Sequence, residues 1–339
     1  MLWLAGRLSE RGDKVTFLTY REALECREVP SGVKHIHIPL ETGGHSIRGL
    51  VRSIRELHRH LKAERYDWGI AFLSPSHLRL SLASIGTHTK ILLSQRGDPY
   101  QTKNKSKSLM SKVKAYAFNR ADKYVFQTPQ AMAYYNNSIQ SRGVVIPNPV
   151  KPLSRTSERR PDNRIINVAR LDIKQKRQDL LIEAFNLISK DYPEVTLHFY
   201  GDGEDEQSLK ELTRGNGRIF FEGVTHDLVE DIQNARMFVL SSDFEGIPNA
   251  LLEAMALGVP CISTKCSPGG AELLVKDGVN GLLTPCCDAI SLSEAIKLFL
   301  DDPTFAERCG CKAMSIQNRF SENVIFPRWE HLLTLTKSV

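Results

Sequence analysis

MFVLSSDFEGIPNALLEAMALGVPCIST, residues Met237–Thr264, is the stretch that decides the architecture. Met237–Leu240 is a short apolar run of strand length, ending at Ser241-Ser242. Asp243–Ile247 reads as a loop. Pro248 suits the first turn of a helix, where its missing N–H costs nothing. Asn249–Leu257 carries the helical pattern and Pro260–Thr264 the next strand. Strand, helix, strand is the repeating unit of a parallel sheet covered by helices.

The same alternation extends in both directions. Upstream strands are expected at Ile165–Val168, Val195–Tyr200 and Ile219–Phe221, and a downstream one at Gly281–Leu283, with Gln178–Ser189 as a helix. An earlier series has strands at Val15–Tyr20, Val33–Ile38, Trp68–Leu73, Lys90–Ser94, Tyr124–Gln127 and Val144–Ile146. Between the series lie the proline-dense Pro147–Pro152 and the polar run Ser154–Asn163, which mark a boundary. The expected fold is α/β, with two doubly wound Rossmann-like domains facing a cleft. Residues 1–150 form the first domain, with 323–339 completing it, and 151–322 the second. In such sheets ligands sit beyond the carboxyl ends of the strands.

Composition agrees with a globular protein. The chain has 339 residues, 41% apolar and 25% charged, with a net charge of +6. Between Gln101 and Tyr124 stand seven basic residues (Lys103, Lys105, Lys107, Lys112, Lys114, Arg120 and Lys123) against Asp122 alone, so this segment equals the excess of the entire chain. Leu109, Val113, Tyr116 and Ala117 fall at helical spacing within it, a cationic amphipathic pattern that suits an anionic membrane surface. A core-packed helix with a charged outer face is the competing explanation. Without an aromatic stacking platform the segment does not suggest nucleic acid. The seven cysteines form no CxxC pair, which points to a reducing compartment. No apolar run approaches the roughly 20 residues of a membrane span, and no signal peptide is evident. His35, His37, His58 and His60 are better explained as surface positions than as metal ligands.

The opening stretch also carries chemistry. Glu245 lies on the loop at a strand's carboxyl end, and Glu253 lies in the helix, four positions after Asn249 and on its face. Backbone N–H groups from Gly246 to Asn249 point out of the helix N-terminus, a setting that suits a phosphate. Arg170 and Lys176 sit on the loop after the first strand of the second series and can reach a diphosphate across the cleft. Fixed cations and helix N-termini stabilise the charge that develops on a departing diphosphate. The GDGED turn is a glycine pair after the second strand, the full GxGxxG is absent, and a nicotinamide site is set aside.

In order along the chain come the Arg170/Lys176 loop, YGDGEDE (Tyr200–Glu206), FEGVTHDL (Phe221–Leu228), the two-glutamate motif and SPGGAELLVKDGVNGLLTP (Ser267–Pro285). This series resembles retaining glycosyltransferases of family four, which have the GT-B fold. The resemblance covers nearly all of residues 164–285. It implies that Arg170 and Lys176 hold the donor diphosphate and that Glu245 lies beside the donor sugar. Gly246 and Ile247 would offer backbone N–H groups, and Glu253 would bind the ribose. Asn249, Gly201 and Val224 would belong to the donor site, with 221–225 lining the base pocket. It further implies a nucleotide-sugar donor, UDP-linked, with no metal or other cofactor, and a lipid-linked saccharide acceptor of bacterial surface polysaccharide, lipopolysaccharide or capsule. The sugar would be a hexose or N-acetylhexosamine, N-acetylgalactosamine being the first guess. The place implied is the cytoplasmic face of the plasma membrane, held through Lys103, Lys105, Lys107, Lys112 and Lys114.

In the first domain QRGDP (Gln95–Pro99) resembles the RNDP or RSDP of transferases that extend lipid-linked glycans, which makes Arg96 and Asp98 acceptor-side candidates. A structural Asp-Pro turn is the competing reading. MLWLAGRLSERGDKVTFLTY begins with helix and then strand, where family members place a strand and a glycine-rich loop first. Their loss would leave a gap in the sheet. The reading favours a displaced start, and the alternative is a shortened non-catalytic homologue that binds a nucleotide sugar or a partner transferase.

Overall fold

The computed structural model describes residues 1–20, 28–38, 47–102, 108–154, 159–224 and 227–334. Lys103, Lys105, Lys107 and Thr225 lie outside the described residues.

The first helix, Leu2–Glu10, leads into β1 (Thr16–Thr19) and β2 (Lys34–His37), a parallel pair standing by itself. After the helix Ile47–Glu64 come β3 (Trp68–Phe72), β4 (Lys90–Gln95), β5 (Lys123–Phe126) and β6 (Gly143–Val145), parallel throughout in the order β3-β4-β5-β6. The second series is β7 (Arg164–Val168), β8 (Thr196–Tyr200), β9 (Ile219–Gly223), β10 (Met237–Leu240), β11 (Cys261–Thr264) and β12 (Leu282–Thr284). These six form one parallel sheet in the order β12-β11-β10-β7-β8-β9. The architecture is GT-B: two α/β halves, each built from parallel strands.

Burial on both faces explains why β10 and β11 read as continuous apolar or small residues. Every residue of both strands is buried. One face packs against Leu251, Leu252 and Met255 of the helix Asn249–Ala256, and the other against Phe185, Leu292 and Ile296. The last helix, Glu322–Thr334, leaves the second half and buries Ile325, Phe326, Trp329 and Leu332 against Leu92, Val125 and Ile146 of the first sheet. The Trp68 indole N–H donates to the Leu333 carbonyl (3.3 Å) and fixes its end.

One local reading changes, and one helix shows which of its residues face inward. Pro248 precedes the helix as its N-cap, in extended conformation, because Asn249 is the first residue with helical geometry. In the helix Leu109–Asn119, Leu109 and Tyr116 are exposed and only Ala117 is fully buried. The inward anchor is Phe118, whose ring meets Tyr124 and Tyr135 at 5.0 and 5.1 Å. The apolar stripe inferred from spacing is therefore mostly exposed, with Ala117 turned inward.

Candidate functional site

Between the two sheets lies a cavity of about 1140 Å³, lined by the carboxyl ends of strands from both halves. The second half contributes Gln175, Glu245, Gly246, Ile247, Asn249 and Glu253, and the first contributes Leu73, Arg96, Asp98, Gln127 and Asn148.

Glu245 is held from three directions. The Lys176 ammonium pairs with its Oε1, the Ser242 hydroxyl donates to the same oxygen at 2.9 Å, and its backbone N–H donates to the Ser267 carbonyl at 2.7 Å. Glu245 is 8% exposed, so the pairing with Lys176 is what keeps a carboxylate tolerable there. Lys176 ends a four-residue helix, Ile173–Lys176, capped by Asp172, whose Oδ1 accepts from the Gln175 N–H at 3.1 Å. The following residue, Arg177, has a left-handed backbone (φ 52°) and sits across Asp179 and Asp243. Hydrogen bonding to Asp179 raises its pKa, and burial opposes the rise. The loop that presents Lys176 is thus clamped on both sides.

The first bond of the helix Asn249–Ala256 runs from Leu252 N–H to the Pro248 carbonyl (3.0 Å). Gly246, Ile247 and Asn249, whose N–H groups precede it, line the cavity. Gly246 admits no side chain, since a Cβ would stand 1.9 Å from Gln127 Oε1 and 2.4 Å from the Arg96 carbonyl oxygen. Glu253 lies in the same cavity, partly buried. Burial raises its pKa and Lys151 opposes the rise.

The remaining candidates divide. Arg96 lies over the rings of Phe72 and Trp329 at 4.9 and 5.7 Å and donates through Nη1 to Asn148 Oδ1 at 2.6 Å. Burial lowers its pKa to about 10. Asp98 is buried and accepts from Tyr100 N–H (2.9 Å) and Gln101 Nε2 (3.3 Å), so its carboxylate holds the turn Pro99–Thr102 while lying at the cavity edge. Arg170 is exposed and pairs with Asp172 at 2.6 Å, outside the residues that line the cavity. Val224 is exposed and also outside that lining. Gly201 packs against backbone instead. Its φ is +134°, and a Cβ would sit 2.1 Å from the Ala169 carbonyl oxygen. That contact holds the Arg170 loop against the turn after β8, with Leu171 N–H donating to the Asp202 carbonyl at 2.8 Å.

Two residues at the centre were not singled out from sequence. Asn148 accepts from Arg96 and donates through Nδ2 to Asn249 Oδ1 at 2.8 Å, bridging the halves. Gln127 is 3% exposed, its Oε1 has no hydrogen-bond partner among the described residues, and it lies against Gly246. Position at a strand's carboxyl end was the available signal for Gln127. For Asn148 it was an asparagine between two prolines at the boundary.

Comparison with known proteins bears on what such a cleft does. Residues 1–149 match the family described as "Glycosyl transferase 4-like domain", and residues 152–315 match "Glycosyl transferases group 1". An exopolysaccharide phosphotransferase of Streptomyces coelicolor is 33% identical over 57% of this chain and 21% of its own length. A Campylobacter jejuni enzyme, named as a GalNAc-alpha-(1->4)-GalNAc-alpha-(1->3)-diNAcBac-PP-undecaprenol alpha-1,4-N-acetyl-D-galactosaminyltransferase, is 25% identical over 87% of this chain and 82% of its own. The chain spans 21%, 63% and 61% of the length of three curated relatives it matches. Among solved structures, Anabaena HepE in complex with UDP-glucose superposes with a TM-score of 0.79. It covers 98% of this chain and 95% of that one at 18% identity, a likeness of fold.

Proposed function

We propose that the chain, which carries a group 1 glycosyl transferase domain at residues 152–315, transfers a sugar, a hexose or N-acetylhexosamine, with retained configuration. The donor is a nucleotide sugar, UDP-linked, and the acceptor a lipid-linked saccharide of a bacterial surface polysaccharide. The observation that carries this reading is Glu245, paired with Lys176, at the mouth of a helix N-terminus and in one cavity with Glu253.

Lys176 and the N–H groups of Gly246, Ile247 and Asn249 receive the diphosphate and stabilise the charge that grows on it as the glycosidic bond breaks. These groups are fixed before the reaction, so little reorganisation opposes it. Fixed protein charge in place of a divalent ion is part of the proposal, and transfer should survive a chelator. Glu245, held by Lys176 and Ser242, orients the sugar. Glu253 accepts hydrogen bonds from the ribose hydroxyls. The acceptor hydroxyl enters from the side of Arg96 and Gln127 and attacks from the face the diphosphate leaves. A UDP-linked donor is supported by the UDP-glucose named with HepE, and a lipid-linked acceptor by the undecaprenol substrate named for the Campylobacter enzyme. Among the described residues no helix is long and apolar enough to cross a membrane. A peripheral seat on the cytoplasmic face, through Lys112 and Lys114 beside exposed Leu109 and Tyr116, is the accompanying proposal.

A second reading is a non-catalytic homologue that binds a nucleotide sugar or a partner transferase without turnover. Incubation with radiolabelled UDP-sugars and bacterial lipid extract separates the two. Label in the lipid phase supports transfer, and calorimetric binding without label supports the second reading. Absence of binding to every nucleotide sugar contradicts both.

A further inference from the structure

The side chains of Arg96, Asn148 and Asn249 form a chain whose direction is dictated at one end. A guanidinium has N–H donors and no acceptor. Arg96 Nη1 lies 2.6 Å from Asn148 Oδ1, so the oxygen of that amide faces Arg96. Its nitrogen then faces Asn249, and the 2.8 Å contact between them is Nδ2 donating to Oδ1. With its oxygen engaged, Asn249 keeps Nδ2 as a donor that bonds nothing among the described residues. Turning either amide over would set N–H against N–H.

Both the origin of this order and its middle are held firmly. Arg96 is seated over the rings of Phe72 and Trp329, and its Nε is buried without a partner among the described residues. Asn148 lies between Pro147 and Pro149. Proline fixes its own φ and confines the residue before it to extended backbone. On one side the Ile146 N–H donates to the Phe126 carbonyl at the end of β5, and on the other the Val150 N–H donates to the Phe320 carbonyl of the second half, both at 2.8 Å. The segment that carries Asn148 is therefore anchored to both halves. At the far end, Asn249 is exposed and lines the cleft with Gly246 and Ile247, as the first residue of the helix Asn249–Ala256. An N–H donor added to a helix N-terminus suits an anion, and an oxygen in its place opposes one.

We infer that Asn148 is a positioning residue: held by Arg96, it turns the Asn249 amide so that its nitrogen, not its oxygen, is offered to the donor diphosphate. The part played by the diphosphate rests on the function proposed above, and the direction of the chain does not.

Asn148→Asp separates orientation from packing. An aspartate still accepts from Arg96 but cannot donate, so Asn249 must turn over, bonding it through Nδ2 and presenting Oδ1 to the cleft. Side-chain amide exchange, followed by NMR in the ligand-free chain, reads this directly. In wild type the Asn148 amide protons should exchange about tenfold more slowly than those of Asn249. In the Asp variant those of Asn249 should become slow. Asn249 protons already slow in wild type, or unchanged in the variant, overturn the inference. Calorimetry with UDP reads the consequence. Affinity should fall about threefold in Asn148→Ala and about a further tenfold in Asn148→Asp. The same pair of variants in an Asn249→Ala background measures the added charge alone, and there the gap between them should shrink by about threefold or more. An equal gap in both backgrounds overturns the inference. A wild type that binds no UDP contradicts the proposed donor, and the exchange measurement still decides the orientation.

Discussion

The two sheets of this molecule are built from the same unit and finished to different degrees. In the second, β10 and β11 have neighbours on both edges and helices on both faces, and all their residues are buried. In the first, every residue of β1 is only partly buried, and β3 buries Ala71 alone. Apolar strand sequence is enough to form a strand, but burial depends on what lies beside it. The second half supplies Glu245, with Lys176 paired to it, and Glu253. The first half supplies Arg96 and Gln127 at the other wall of the cleft.

If the chemistry rests on the second half, its variants should have the largest effect. Glu245→Gln and Lys176→Met should each lower transfer by about a thousandfold with the circular dichroism spectrum unchanged. Wild-type kcat in either variant would move the reaction centre elsewhere.

A second test addresses the stability of the first half. His77 is buried, its Nε2 lies 3.0 Å from the Ser94 carbonyl, and burial lowers its pKa to about 4. Because the folded value is below the unfolded one, the unfolded chain binds more protons between these values, and stability falls as pH drops from 6.5 towards 4. The loss is at most about 3 kcal/mol across that window. Urea unfolding at several pH values should show the slope in wild type and a flatter one in His77→Gln. Equal slopes in both proteins would rule out His77 as its source.

Gly246→Ala probes the contact between the halves. Its Cβ meets both Gln127 and the Arg96 backbone, so the halves must separate slightly. Misplacement of reacting groups by about 1 Å costs up to a hundredfold. A tenfold or greater fall in kcat/KM, with donor affinity retained, is expected. Unchanged kinetics would show that the cleft tolerates a wider setting.

The smallest effect belongs to the helix Leu109–Asn119. Lys112→Ala and Lys114→Ala should each weaken binding to phosphatidylserine vesicles by about 1 kcal/mol. Affinity independent of both would remove the membrane seat.

Much of the second half was legible because strand periodicity, turn residues and motif order agree there. Met237–Leu240 is read to the residue, and Pro260–Thr264 to within one residue of its strand. The strands of the first half were also located from sequence. The separation of β1–β2 from β3–β6 was expected only as a gap in the first sheet. The candidates Glu245 and Lys176 were chosen from loops that follow strands, and the structure pairs them. The bridge from Arg96 through Asn148 to Asn249 was not legible, because it joins positions 52 and 101 residues apart. Asp98 illustrates the converse: a carboxylate in a promising motif makes two hydrogen bonds within its own turn.

A crystal soaked with a UDP-sugar tests the central claim most directly. The account predicts the diphosphate within hydrogen-bond reach of Lys176 Nζ and the N–H groups of Gly246–Asn249, with the ribose on Glu253. A nucleotide sugar bound outside this cavity, with Lys176 and Glu245 still paired and untouched, would contradict it.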